Sequence, residues 1–406
     1  MMVCSLVWGG CIAGGPAPVC ADDPPDDVRQ VQVTDAQGQI HRGALSELSP
    51  TQVGLGPGDP RRLATRNLIM LKFAGRQMHL AAESPIVVLA TGEFLALQTE
   101  AISDAALTGQ LICDPELPAV SVPLEAIRGV VFDRPANSQS LSRLLELMLV
   151  GTESHDTVIL RNGDRLEGEF VELQGAELTL KSAAGLAKIR SDGVQALALN
   201  PTLSVAEPFR GEGALVTLVD GSRFRARQLR LVGPDQLTCE PQFGGRWSLP
   251  LSAVDAIRFL GGAATWLSDL EPARYEFEPF LQLEWPLQRN RSVAGGFLQV
   301  RGVEYALGLG VHSRSTVTYA LPGKYRRFQA TLGIDDITAG KGNAVYEVLV
   351  DGKRVFQSPA LTGTSPALVI DPIDLTGAKT LSLRVDFGGD ADMLDHANWC
   401  DAVLVR

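Results

Sequence analysis

The stretch Asp156-Thr-Val-Ile-Leu-Arg-Asn-Gly-Asp-Arg-Leu-Glu-Gly-Glu-Phe170 alternates apolar and polar residues, turns at Asn162-Gly163 and alternates again. Period-two alternation on both sides of Asn-Gly is the signal of a β-hairpin, and this dipeptide favours a type I′ turn. A second copy runs Ala214-Leu-Val-Thr-Leu-Val-Asp-Gly-Ser-Arg-Phe-Arg-Ala-Arg-Gln228, with its turn at Asp220-Gly221. Both continue alike, through Leu178-Thr-Leu180 or Leu237-Thr-Cys239 to a closing strand at Val194 to Leu199 or Val254 to Phe259. Fainter copies start at Val31 and Ile86, turn at Gly38 and Gly92, and end near Phe73 and Phe132. Four units of four or five strands therefore fill the first two thirds of the chain. The longest interval between turn glycines holds Ser138 to Val150, whose Leu141, Leu144, Leu145, Leu147, Met148 and Leu149 fit a short amphipathic helix.

Composition agrees with an all-β reading. The 406 residues are 45% hydrophobic and 20% charged, with 41 Gly and 24 Pro but only 6% aromatics, a mixture suited to short strands and frequent turns. At roughly 100–200 residues per domain, the length predicts two to four domains. The formal charge of -11 repels phosphate backbones, which argues against nucleic acid as a partner. Residues 1–21 carry no charged side chain and end on Val19-Cys20-Ala21, the pattern of a secretory signal, so export to the periplasm or beyond is expected. Elsewhere no uncharged apolar run reaches the length of a spanning helix. Cys11 after Gly9-Gly10 leaves lipidation as a minor alternative. Past the signal only Cys113, Cys239 and Cys400 remain, far apart and without C-x-x-C spacing, which reads as small buried hydrophobes.

The expected organisation is a signal at 1–21, a β-repeat pair at 28–135, a linking helix at 137–152, a second pair at 155–260, a linker at 261–282 and a β-sandwich at 283–406. The linker, acidic and punctuated by proline, carries Tyr275, Phe277 and Phe280, which favour packing against neighbours. In the sandwich, strand-like runs recur from Phe297 to Val405 with turns at Pro322-Gly323 and Asp351-Gly352, suiting a jelly roll. The repeat pattern resembles the small bent barrels of Sm-like proteins, in pattern alone, since no basic and aromatic cluster for RNA accompanies it.

The carboxy-terminal wording resembles a family. Arg291-Ser-Val-Ala-Gly-Gly296, Tyr305-Ala-Leu-Gly-Leu-Gly-Val-His-Ser-Arg-Ser315, Tyr325-Arg-Arg-Phe-Gln-Ala330, Gly333-Ile-Asp-Asp336, Val350-Asp-Gly352 and Asp395-His-Ala-Asn-Trp-Cys-Asp-Ala402 are together similar to the NPCBM family of carbohydrate-binding modules. That resemblance covers about residues 283–406. It implies a galactose-binding-like sandwich of the kind found in exported planctomycete proteins and beside glycoside hydrolases, and it places His312 and His396 in the family's motifs.

Sugar sites pair an aromatic platform with planar polar groups, because sugar C–H faces stack while hydroxyls need bidentate partners. Trp399 beside Asn398, His396 and Asp395 forms the best such cluster, although Trp399 also fits the inward face of the last strand. His312 and Trp285 join it as candidates, with Tyr305 behind them. Asp335, Asp336 and Asp401, together with Asp390, Asp392 and Asp395, could offer hard oxygen ligands to a structural Ca²⁺, against the commoner outcome of solvated acidic turns. Gly308-Leu-Gly310 lacks both a third glycine and a βαβ context, so it is no dinucleotide fingerprint. No nucleophile elbow, zinc-protease motif, P-loop or α/β barrel pattern is present, so no enzyme is expected. The reading is an exported, non-catalytic protein whose sandwich binds a neutral glycan weakly, with the repeats as scaffold. Its alternative is a cell-envelope structural or protein-interaction protein without sugar binding.

Overall fold

The structure is a computed structural model describing residues 29–406 apart from 57–60, 82, 136, 152–153, 280–282 and 390. The expected signal, with Cys4, Cys11 and Cys20, therefore lies outside the described residues, as do Phe280 and Asp390. The fold is nearly all-β. Its one long helix among the described residues is Ser138–Val150, and Asn137 caps it by accepting from the backbone N–H groups of Gln139 and Ser140.

Each repeat unit has five strands with the same plan. The first unit runs Gln30–Asp35, Ile40–Leu48, Gln52–Leu55, Arg61–Ala64 and, after a 3-10 turn at Thr65–Asn67, Leu68–Phe73. The closing strand returns to pair with the first strand, Val33 opposite Leu71. The closing strands Ile127–Val131, Val194–Ala198 and Val254–Leu260 return to their own first strands in the same way. A register shift in every second strand, as between Leu45 and Glu47 or Phe170 and Glu172, bends it so that both ends of the unit can close.

The hairpin turns differ from the type I′ expectation. In all four the residue three before the glycine accepts from the glycine N–H, as Leu160 does from Gly163 at 2.9 Å and Leu218 from Gly221 at 3.2 Å. Only the glycine has positive φ, from 79° at Gly38 to 92° at Gly221, while Asn162 and Asp220 do not. This is a type I turn closed by a left-handed glycine, giving a three-residue loop. Asp164 occupies the place that a two-residue loop would give to Gly163.

The units also pair differently from chain order. Closing strand Val254–Leu260 joins Leu68–Phe73, so the first unit shares a ten-stranded sheet with the fourth, and Ile127–Val131 joins Val194–Ala198, so the second shares one with the third. The reason is burial. Val254–Leu260 is buried at every position, and its free edge needs a partner equally apolar. A continuous core then takes Val33, Leu95, Val158 and Val216 from all four units. The helix lies over the second and third, with Leu141, Leu145 and Met148 packed on Ile86, Phe94, Ile159 and Ala196.

The sandwich has two sheets. One carries Gln288–Arg289, Gly308–His312, His396–Val405 and Arg327–Ile334, and the other carries Ser315–Ala320, Thr380–Phe387, Asn343–Val350 and Lys353–Gln357. Residues 261–282 are not a linker between them and the repeats. Ala264–Trp266 pairs with Val403–Val405, and Arg274–Phe277 pairs with Ser315–Thr318, so both belong to the sandwich. Tyr275 and Phe277, half-buried, pack there as alternate residues of an edge strand. Cys239 and Cys400 are buried and Cys113 is half-buried, all three as free thiols.

The two halves meet through charge as well as apolar packing. Arg258 forks onto Asp401 at 2.8 and 3.1 Å, Arg225 reaches Glu93 and Asp269 at 2.6 Å each, and Arg223 reaches Glu304 at 3.3 Å between the rings of Phe94 and Phe297. Trp266, Val403 and Val405 of the sandwich share an apolar cluster with Ile69 and Leu215 of the repeats.

Candidate functional site

The site grows from the pairing of Gly308–His312 with His396–Val405, in which His312 stands opposite His396 and Gly310 opposite Asn398. Alternation along the last strand sends His396 and Asn398 to one face and Ala397 and Trp399 to the other. Trp399 is fully buried in the sandwich core, with the ring of Tyr346 edge-on at 5.2 Å and that of Phe328 at 6.5 Å. It cannot be a sugar platform, since a residue facing the inner sheet has no open ring face. The opposite face carries the chemistry.

There the indole of Trp285 stacks on the His312 imidazole at 4.8 Å with 4° between planes and leans on His396 at 5.2 Å, while the two imidazoles meet edge-on at 5.5 Å. His312 Nδ1 lies 2.6 Å from the Ser313 carbonyl. A carbonyl only accepts, so Nδ1 carries the proton and Nε2 keeps its lone pair. Burial lowers both histidines, His396 to about 4 with His312 as the second cause, so both are neutral near pH 7. Nδ1 of His396 is buried without a hydrogen-bond partner among the described residues.

Beneath them, polar side chains hold the loops. Asp395 is fully buried and accepts from Ser313 Oγ at 2.5 Å and from the Asn343 backbone N–H at 2.7 Å. Asn398, equally buried, donates from Nδ2 to Asp335 at 2.5 Å. Neither is exposed to the cleft. They are corrected from sugar contacts to loop supports, since both side chains are fully buried and each holds a neighbouring segment of the fold.

The three aspartates proposed as metal ligands do not converge. Asp335 accepts from Asn398 and from the backbone N–H groups of Gln299 and Ile337, Asp336 accepts from those of Arg301 and Gly302, and Asp401 is paired with Arg258 further along the last strand. Burial pushes the Asp335 carboxyl up to about 6 despite those donors. Among the described residues no group of three or more His, Cys, Asp and Glu could hold a metal ion.

Trp285, His312 and His396 instead wall a cleft of about 620 Å³, which Asp392, Leu394, Leu283, Ala294, Ile337 and Gln139 complete. The segments 308–315 and 391–398 contribute His312, Asp392, Leu394 and His396 to it. Tyr305, in strand Val303–Tyr305, lies outside this lining. Sequence reasoning found Trp285 and both histidines but missed Gln139, which comes from the helix far away in the chain and carries no signal of its own. Asp392 was singled out by name as a metal ligand, and for sugar only as part of its loop. The four aliphatic residues are invisible to a search for polar motifs.

Residues 263–405 match the NPCBM/NEW2 domain. The match begins at the strand Ala264–Trp266, which moves the domain start back from 283 and agrees with the pairing of that strand to the last one. Over 105 residues the chain is 36% identical to a Renibacterium salmoninarum protein named "Putative endo-alpha-N-acetylgalactosaminidase", covering 26% of this chain and 7% of that one. The chain thus spans only a small part of the curated relative it matches. Among solved structures, it is similar to the CBM51 of Clostridium perfringens GH95 in complex with methyl-galactose, at 29% identity over 35% of this chain and 99% of that one, TM-score 0.32. It is also similar to the tandem CBM51 modules of a family 98 glycoside hydrolase from Streptococcus pneumoniae, at 11% identity over 92% of this chain and 88% of that one, TM-score 0.31. The matched residues are the part of the chain that carries most of the cleft, which opens against the repeat half.

Proposed function

We propose that the chain is an exported, non-catalytic glycan-binding protein whose NPCBM/NEW2 domain holds a neutral sugar in the cleft of Trp285, His312 and His396. The observation that carries this is the combination of a half-buried indole with neutral polar groups in one concave, largely apolar recess, the composition that sugar recognition needs. Among the described residues Asp392 is the one acidic or basic side chain lining the cleft besides the two histidines, which burial holds neutral near pH 7. A lone carboxylate accepts from hydroxyls and repels anionic sugars, which favours a neutral ligand. Export is supported by the uncharged stretch before Asp22.

The test is calorimetric titration of the full chain with neutral oligosaccharides, including galactose-containing ones. Heat at millimolar ligand that disappears in Trp285→Ala, with the melting temperature nearly kept, is the expected result. Absence of heat with every sugar, or binding untouched by Trp285→Ala, would sink the reading and favour a protein-interaction role in the cell envelope.

A further inference from the structure

The NPCBM/NEW2 cleft is not made by its own domain alone. Gln139 lines it from the first turn of the helix Ser138–Val150, which belongs to the repeat half. The Asn137 side chain fixes this turn by accepting from the Gln139 N–H at 2.8 Å, while the Gln139 side chain itself is exposed. The helix is docked firmly. Gly295 of the sandwich sits so close to Ser142 that a Cβ there would lie 3.2 Å from the serine Cβ, and Phe297 packs edge-on against Phe94 at 5.2 Å beneath the helix. Residues 295–297 are thus clamped by the helix, and Ala294 beside them lines the same cleft.

Resting on the reading of the cleft as a sugar site, we infer that Gln139 is a specificity-determining contact, so that the repeat half completes the binding site rather than serving as a spacer. A primary carboxamide presents one acceptor and one donor side by side in a plane, which matches two neighbouring hydroxyls of a pyranose. Of the other polar groups at the cleft, Trp285 and the neutral His396 carry a single ring N–H each, and the rest accept. Asp392 accepts only, and His312 offers the Nε2 lone pair. Gln139 supplies N–H donors from the opposite wall. The ligand class is therefore a neutral glycan with a vicinal diol turned toward the helix.

The experiment uses the full chain and a panel of neutral oligosaccharides that differ in the configuration of their hydroxyls, titrated into wild type, Trp285→Ala, Gln139→Ala and Gln139→Glu. Loss of two hydrogen bonds predicts about tenfold weaker binding in Gln139→Ala at an unchanged melting temperature. Gln139→Glu, which replaces the donor by a second acceptor, should change the ranking of the sugars as well as the affinity. Binding lost in Trp285→Ala but identical to wild type, in affinity and ranking, in both Gln139 variants would overturn this inference and leave the cleft reading standing. A panel that wild type ignores altogether would overturn both.

Discussion

The repeat half and the sandwich both bury polar groups, but they bury them in different places and pair them differently. In the repeats the buried charges lie along seams between units or against the sandwich, where Lys72 meets Asp255 at 2.6 Å, Arg225 meets Glu93 and Arg258 meets Asp401. Each cation there faces an anion. In the sandwich, Asp335, Asp395, Asn398, His312 and His396 gather under one cleft, held by neutral donors and acceptors rather than by opposite charges. Buried polar groups cost free energy unless paired, so their location marks what a region does. Seam charges fix how pieces fit; the neutral network shapes a recess and adds no charge of its own to it.

The sharpest break of this comparison lies within the sandwich itself. Trp399→Ala empties a core position and should cost about 3–5 kcal/mol, whereas Trp285→Ala, half-buried at the cleft, should cost about 1 kcal/mol. Denaturant titration of both variants measures this. Equal costs would mean that the two tryptophans do not divide core from site. At the seam, Arg258→Ala leaves Asp401, itself about a fifth exposed, without its cation and should cost about 3 kcal/mol. The expected signature is loss of a single shared melting transition in calorimetry. A transition that stays single and hardly shifts would show that the apolar cluster around Trp266 suffices to join the halves.

Much of the fold was legible in the sequence, for a physical reason: alternation and turn glycines act locally. The positive φ at Gly38, Gly92, Gly163 and Gly221 requires glycine, and the alternation around each dictates a hairpin. What was not legible depends on contacts distant in sequence. Nothing local tells Val254–Leu260 to pair with Leu68–Phe73 instead of with the third unit. The candidate site divides the same way. His312 and His396 were visible through their motifs and Trp285 through its residue type, but Trp399 and Asn398 alternate on opposite faces, and only the packing of the second sheet decides which face is core. Gln139 could not be found at all without the docking of the helix on Gly295.

Acidity offers a finer test of the neutral network. His396 sits at about 4 against an ordinary 6.5, so its contribution to stability is present above 6.5 and is lost as pH falls through 4. Asp335 sits at about 6 against 3.8, so its contribution is present below 3.8 and is lost as pH rises through 6. The two oppose each other between pH 4 and 6. At about 1.4 kcal/mol per pH unit of displacement, each amounts to about 3 kcal/mol. Relative to wild type, Asp335→Asn should therefore gain stability as pH rises from 4 to 6, and His396→Gln should lose it over the same window. Difference curves from urea titrations across that range should have opposite signs, and curves of the same sign would show that one of the two groups does not titrate as its burial dictates.

The smallest expected difference lies between two turns that share one motif. Gly163 and Gly221 occupy the same hairpin position in the third and fourth units, at φ of 90° and 92°. Replacing either by alanine forces a side chain into the left-handed region, at about 1–2 kcal/mol, partly offset by the lower entropy of the unfolded chain. Their surroundings differ. A Cβ on Gly163 meets nothing within 4 Å, whereas one on Gly221 would lie 2.6 Å from the Leu80 Cβ and 2.9 Å from its Cα. Leu80 cannot easily retreat, because it is buried and the neighbouring His79 N–H is bonded to the Val219 carbonyl at 3.0 Å. Gly221→Ala should thus cost about 1–3 kcal/mol more than Gly163→Ala, the usual penalty of overpacking a rigid contact. Thermal denaturation of the two variants reads this difference directly. Equal losses would mean that residues 77–80 yield freely, and that the fourth unit is held against its neighbours by the charged seams and not by the contact at its turn.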